Sequence, residues 1–152
     1  MRYKNQEKIL EERIYETKEG RELPLLTFSM LENIPGIRHC FTTRAGGVSQ
    51  GIFRSLNLSF TRGDDGAAVL ENYRRVASAM GTDITQVVTS DQTHTTNIRL
   101  ASRADAGKGV VRPRDYLDVD GLITDTPGLL LAAFFADCVP LYMVDKRRSF
   151  GR

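Results

Sequence analysis

The 152-residue sequence holds only two histidines, His39 and His94, and two cysteines, Cys40 and Cys138, so any metal or thiol chemistry rests on few side chains. His94 lies in Ser90-Asp91-Gln92-Thr93-His94-Thr95, directly after the β-like run 84–89, and the end of such a strand would present its ring at a sheet edge. An imidazole there can coordinate zinc, act as a general base, or serve as a hydrogen-bonded structural residue. Cys138 lies in Ala136-Asp137-Cys138-Val139-Pro140 between two very apolar runs, where a cysteine by default packs as a small hydrophobe. Asp137 inserts a charge into that apolar surround and Pro140 breaks a hydrogen-bond ladder, so the pair is expected at an irregular point facing a cavity. A chemical role for the thiol therefore stays open. Arg44 stands just before Gly46 and Gly47, either a guanidinium for bidentate anion binding beside closely approachable backbone or part of a structural turn. Neither the Gly-x-x-x-x-Gly-Lys-Ser/Thr nor the Gly-x-Gly-x-x-Gly phosphate-loop spacing occurs. His39 and Cys40, adjacent in a strand-like run, point to opposite faces and are read as packing residues.

The elements that must position these residues are mostly short and β-like. Residues 1–13 are polar and read as frayed or a short helix, and the next stretch forms a terminal hairpin around a turn at 18–20 before the apolar run 23–28. A connector over 31–36, punctuated by Pro35 and Gly36, leads to a strand over 37–43 and then a long packed loop with short strands over 46–63. Val69, Tyr73, Val76, Ala77 and Met80 recur at helical spacing, Asp64 or Asp65 can cap the start and Gly81 suits the position past the end, which predicts a helix over 64–80. Strand-like runs follow at 84–89, 95–100, 107–111, 121–124, 129–135 and 139–144. Strands apolar on both faces with few helices between them favour an α+β fold, with mixed β-sheets flanked by helices, over a doubly wound parallel sheet. The sequence stops at 149–152, where a strand returning from a turn at 145–148 has just opened, so the central apolar strand lacks a partner and a fragment, or a completing partner, is expected.

Composition narrows the classes further. With 41% hydrophobic, 8% aromatic and 26% charged residues, the sequence has the make-up of one ordinary soluble domain. A formal net charge of +2 is too small for the basic field of a nucleic-acid binder, and the basic stretch Arg99, Arg103, Lys108, Arg112, Arg114 is diluted by Asp105, Asp115, Asp118 and Asp120, which reads as a solvated loop. The longest apolar run, 128–136, is a buried strand and far short of the roughly 20 residues that span a membrane. The N-terminus lacks the apolar core of a secretion signal, so a cytoplasmic protein is expected, and two distant cysteines make no disulfide framework.

Five blocks, Phe41-Thr42-Thr43-Arg44-Ala45-Gly46-Gly47-Val48-Ser49, Ser55-Leu56-Asn57-Leu58, Asp91-Gln92-Thr93-His94, Asp120-Gly121-Leu122-Ile123-Thr124 and Ala136-Asp137-Cys138-Val139-Pro140-Leu141, together resemble the laccase-domain family, also called multicopper polyphenol oxidoreductase or YfiH-type. The resemblance implies a YfiH/CNF1-like fold and zinc-dependent phosphorolysis of adenosine, inosine and guanosine, with adenosine deaminase activity. Within that family a zinc is held by a histidine of a Gln-x-His block, a cysteine of an Ala-Asp-Cys block and a histidine opening a His-Ala-Gly-Trp-Arg-Gly block. The first two carry over to His94 and Cys138. The third block is absent from a sequence with no tryptophan, so residues 1–152 are expected to be a single, incomplete domain corresponding to the family's N-terminal portion, its own activity left open. The resemblance further implies Cys138, His94 and Asp137 as catalytic residues, Arg44 and Gln92 as substrate contacts, and purine nucleosides and phosphate as partners, with neither nucleic acid nor membrane. Two other readings stand beside it. One is a copper-dependent polyphenol oxidase, against which a sequence with two histidines speaks, since a multicopper cluster needs several. The other is a non-catalytic fragment or binding module that self-associates through its unpaired strand.

Overall fold

Residues 22–28 alternate between inward and outward side chains, and this period of two builds the N-terminal sheet of the computed structural model, which describes residues 8–17, 19–135 and 137–145. Strand β1, Leu10–Glu16, pairs antiparallel with β2, Glu22–Phe28, from Glu16 opposite Glu22 to Leu10 opposite Phe28. The expected hairpin is therefore present, with Lys18 of its turn outside the described residues. Residues 10–13 are strand instead of frayed or helical, because every residue of β1 has a partner across the ladder. Leu23, Leu25 and Thr27 point into the core, and each is at most 1% exposed. A single helical turn, α1 at Ser29–Glu32, opens the connector, and the strand expected over 37–43 shrinks to β3, Phe41–Thr42, beside β2. Over 46–63 the loop contains one 3₁₀ turn, Gly51–Phe53, and no strand.

Helix α2, Gly66–Ala79, lies where its apolar spacing predicts, with Val69, Tyr73, Val76 and Ala77 buried. Asp65 caps it by accepting from the Ala67 amide at 3.0 Å. Gly81 (φ +73°) ends it: the Thr82 amide donates to the Ala77 carbonyl and the Gly81 amide to the Ser78 carbonyl, both at 2.9 Å, a Schellman motif that requires the left-handed conformation at this position. The chain forms two compact units, one comprising residues 1–75 and 141–152, the other Val76–Pro140.

In the second unit, strand β4, Val87–Thr89, is wholly buried; β5 is Ile98–Leu100, β6 is Gly121–Ile123 and β7 is Leu130–Ala132. The pairs β4–β7 and β5–β6 are parallel, whereas the N-terminal sheet is antiparallel, so the fold is α+β with mixed sheets. Val88, Ala101, Tyr116 and Val119 form the core, with Leu122, Leu129 and Leu131 packed on it.

Several strand expectations need correction. Residues 84–86 are a 3₁₀ turn, and pairing begins only at Val87. Residues 107–111 are turns around an isolated bridge of Lys108 with Arg112, because Gly107 (φ +84°) and Gly109 (φ +89°) take a left-handed backbone foreign to a regular strand. A side chain at Gly109 would collide with the Thr89 hydroxyl, so close approach to β4 adds a second reason for glycine there. The apolar run 128–136 yields three strand residues, and Phe134 and Phe135 beyond them are more than one third exposed, not buried. Residues 139–145 contain no strand, since Pro140 removes a donor and no described segment pairs with them; Val139, Leu141 and Met143 stand exposed. The turn and returning strand expected over 145–152 fall, after Asp145, outside the described residues, as does Ala136. Lys108, expected in a solvated loop, is 7% exposed: its ammonium bridges Asp105 and Asp115 beside the ring of Tyr116.

Candidate metal centre

Strand β4 ends at Thr89, and the chain that leaves it is fixed almost residue by residue. The Tyr116 hydroxyl donates to the Thr89 carbonyl at 2.7 Å, and Arg114 donates to the Ser90 carbonyl at 2.9 Å and pairs with the Asp91 carboxylate. Asp91 and Val119 then exchange both backbone hydrogen bonds, at 2.9 and 3.0 Å, an isolated antiparallel bridge that brings 118–120 alongside 91–95.

The Asp120 carboxylate fills this junction. It accepts from the amides of Thr93 (3.3 Å), His94 (2.8 Å) and Thr95 (3.0 Å) and from the Thr95 hydroxyl (2.8 Å). Burial opposes the charged form of Asp120, but the hydrogen bonds from Thr95, Thr93 and His94 together outweigh it and hold the carboxyl below the usual carboxylate range. Asp118 adds a bond from the Thr93 hydroxyl at 2.8 Å. Within this grip His94 adopts φ +65°, a left-handed backbone uncommon for any residue but glycine.

In this conformation the His94 ring lies beside Cys138, with 3.9 Å between Nδ1 and Sγ. Both side chains are exposed, so the expectation of a thiol set between buried strands is corrected: after β7, residues 133–135 and 137–139 belong to no strand. The irregular backbone expected there is present, with Asp137 at φ +69°, but its carboxylate is exposed and forms no hydrogen bond within the described residues. Donors on a tetrahedral zinc, with bonds of about 2.3 Å to sulfur and 2.0–2.1 Å to nitrogen, lie about 3.5 Å apart, so an imidazole and a thiol at 3.9 Å fit two positions of one zinc after a small adjustment. Among the described residues no group of three His, Cys, Asp or Glu side chains could hold a metal. Gln92, half-buried on the same loop, makes no side-chain hydrogen bond to a described residue.

Arg44 belongs to the first unit. Its Nε donates to the Arg54 carbonyl at 3.1 Å, while its terminal nitrogens have no partner among the described residues. It lines an open cavity of about 580 Å³ with Ala45, Gly46, Gly51, Arg54 and Ser55, a lining without any acidic side chain. The glycines that follow have a different role from the ligand approach expected of them. A Cβ at Gly46 (φ +89°) would meet Leu23 Cδ1 at 2.6 Å, and one at Gly47 would run into the Ser55 carbonyl, so chain packs on chain there. The loop is stapled by Asn72 of α2, fully buried, which accepts from the Val48 amide (2.8 Å) and donates to the Ser49 hydroxyl and to the Asn57 and Ser55 carbonyls. Arg75, on the same helix face, donates to the Gly46 carbonyl at 3.1 Å and to Glu71. Sequence reasoning overlooked both, although each interrupts the apolar stripe of α2 and so carried a signal.

His39 is occupied structurally, as expected. Its Nε2 accepts from the Phe28 amide at 2.7 Å and its ring packs against Phe28 and Tyr142. Burial, opposed by Glu32, lowers its pKa below the ordinary 6.5. Burial also pushes the Cys40 thiol up to about 11, so it stays protonated at neutral pH.

The family model described as multi-copper polyphenol oxidoreductase laccase matches residues 38–150. The chain is 41% identical over 107 residues to the purine nucleoside phosphorylase YlmD of Geobacillus stearothermophilus, covering 68% of this chain and 38% of that protein. It is 44% identical over 117 residues to a purine nucleoside phosphorylase of Mycobacterium bovis, covering 76% of this chain and 43% of that protein. Among solved structures it is similar to a Bacillus licheniformis hypothetical protein, YfiH, with a TM-score of 0.67 and 36% identity over 75% of this chain and 42% of that one. The chain thus spans about two fifths of the length of these relatives.

Proposed function

The chain belongs to the multi-copper polyphenol oxidoreductase laccase family, and from that premise we propose that it provides the His94 and Cys138 ligands of a zinc centre in a cytoplasmic purine nucleoside phosphorylase that also deaminates adenosine. The observation that carries the reading is the 3.9 Å approach of these two donors from segments 44 residues apart. Relatives named purine nucleoside phosphorylase support the phosphorylase part of the reading; adenosine, inosine and guanosine as nucleoside substrates, with phosphate as the second substrate, belong to the proposal.

When bound, zinc supplies Lewis acidity at an open coordination position. The chain's own residues do the rest. His94 and Cys138 would hold the metal, with a third donor from outside the described residues. Asp137, adjacent to the thiol and exposed, offers a carboxylate to a nucleoside hydroxyl or amino group, and Gln92 offers an amide that can both donate and accept. The role of Arg44 in binding phosphate rests on its chemistry, two unpartnered terminal nitrogens in a cavity free of acidic lining. Both compact units are assigned to one laccase-like domain. Self-association is assigned to the apolar segment 129–144, in which Val139, Leu141 and Met143 stand exposed. No described helix is long and apolar enough to cross a membrane. Of the two histidines, His39 already accepts a backbone hydrogen bond, so the reading places the metal on His94 and Cys138.

The test is phosphate-dependent release of hypoxanthine from inosine with zinc present. Turnover that vanishes in both His94→Ala and Cys138→Ala supports the reading, and turnover unchanged in either variant refutes it. A second reading is a non-catalytic fragment or binding module, for which the pair of donors among the described residues predicts weak metal affinity. Weak zinc binding with no turnover would select that one.

A further inference from the structure

Asp120 stands out in the sequence only as the start of a motif, yet its carboxylate holds the backbone of the His94 loop. Three consecutive amides, those of Thr93, His94 and Thr95, converge on its two oxygens, and the Thr95 hydroxyl joins them. Successive N–H groups converge on one anion where a right-handed and a left-handed residue adjoin, and here the left-handed residue is His94 at φ +65°. Without an anion in this nest, the three amides would be left without their acceptor and the left-handed backbone of His94 would lose the bonds that hold it. Asp120 is itself held in place. Its amide and that of Gly121 both donate to the Asn97 carbonyl at 3.1 Å, and Gly121 lies so close to Ile98 that a Cβ would meet Ile98 Cγ1 at 2.9 Å. Asn97 in turn donates to the Asp118 carbonyl at 2.8 Å.

We propose that Asp120 is a positioning residue for the candidate metal centre: its carboxylate, occupying the backbone nest of residues 93–95, imposes the left-handed conformation that presents the His94 ring to Cys138. The consequence for metal affinity rests on the reading of His94 and Cys138 as zinc ligands; the consequence for ring position does not. Outer groups that orient metal ligands contribute about 10–100-fold to metal affinity. Asp120 acts one step further back, through the backbone of the ligand, and about a tenfold effect is expected.

The experiment compares the unmodified 152-residue chain with Asp120→Asn and Asp120→Ala. Asparagine keeps the volume and one accepting oxygen, which preserves folding even if alanine abolishes it, but turns an NH₂ toward amides that need an acceptor. The first readout, free of metal, is the nuclear Overhauser effect between the His94 ring and the Cys138 β-protons, together with amide exchange at 93–95. The proposal expects this signal in the unmodified chain, its disappearance in Asp120→Asn and faster exchange at 93–95, with protection in β4 unchanged. The second readout is Co²⁺ binding, followed by the thiolate-to-cobalt absorption, weakened about tenfold in Asp120→Asn. An Overhauser signal that persists in both variants overturns the proposal, whatever the metal does. A signal that disappears on substitution, in a chain whose unmodified form shows no thiolate-to-cobalt band, upholds the positioning role and overturns the zinc reading instead. A purely structural role would lower the melting temperature without moving either readout in the folded state.

Discussion

Replacing Asp105 by asparagine tests the ionic cluster that supports the end of β4. The Asp105 side chain is 4% exposed and accepts from the Ser102 amide (2.9 Å), the Ser102 hydroxyl (3.3 Å), Arg99 (2.8 Å) and Lys108 (2.8 Å). Asparagine retains the shape and one acceptor for Ser102, but removes both charge-assisted bonds. Breaking a buried ion pair from one side costs about 3–5 kcal/mol. Here the lower end applies, because Lys108 keeps Asp115 and the Arg99 side chain is 33% exposed, so about 3 kcal/mol is expected. For a chain of this length that corresponds to a fall of about 6–12 °C in melting temperature at pH 7, read by circular dichroism. The same substitution has a pH signature. Burial disfavours the Asp105 carboxylate, but hydrogen bonds from Lys108, Ser102 and Arg99 outweigh it and hold its pKa well below the ordinary 3.8. A depressed carboxyl contributes stability that is complete above its unfolded-state pKa and is lost as pH falls toward the folded-state value. The gap between the two proteins should therefore be widest above about pH 5 and close progressively in acid. A change under about 2 °C at pH 7, or a gap that stays constant down to pH 2, would mean that desolvation cancels the attraction, and the reasoning would fail.

Other consequences follow from the first unit. His39 has a depressed pKa in the folded state, so the unfolded chain takes up its proton first as pH falls; stability should drop below about pH 6.5, and His39→Gln should flatten that dependence in thermal melts from pH 8 to 5. Asn72→Leu leaves the Val48 amide, the Ser49 hydroxyl and the Asn57 carbonyl without their partner, and should lower stability by about 3 kcal/mol in urea unfolding; an unchanged midpoint would show that water replaces the side chain without cost. Gly47→Ala drives a methyl into the backbone of Ser55 and Leu56 and should cost more than about 2 kcal/mol, whereas Gly66→Ala, whose Cβ meets nothing, should be neutral or stabilising by up to about 1 kcal/mol, both read from the same urea midpoints.

What the sequence made legible is what local chemistry determines. The α2 stripe, its Asp65 cap and its Gly81 terminator are all set within a few residues, and the hairpin of β1 and β2 follows from alternation and a turn. The pairing of His94 with Cys138 came through family motifs, since nothing in local pattern joins positions 44 residues apart. Apolar runs misled where tertiary features intervened. Residues 107–111 look like a strand because of Val110 and Val111, but two left-handed glycines bend the backbone against Thr89. Residues 139–144 have strand composition without a described ladder partner. Lys108 looked solvated because its carboxylate partners and Tyr116 come together only in three dimensions, although its spacing of three from Asp105 was a hint. Asp120 was illegible for a deeper reason. It acts on backbone amides, and amides carry no sequence signature.

Whether His94 and Cys138 share one metal can be read from zinc-edge X-ray absorption on the 152-residue chain loaded with one equivalent of zinc. One sulfur at about 2.3 Å and at least one imidazole nitrogen at about 2.0 Å are expected, the sulfur shell vanishing in Cys138→Ala and the imidazole scattering in His94→Ala. A shell of oxygen and nitrogen only, or a sulfur contribution that survives Cys138→Ala, would rule out a zinc centre built on this pair.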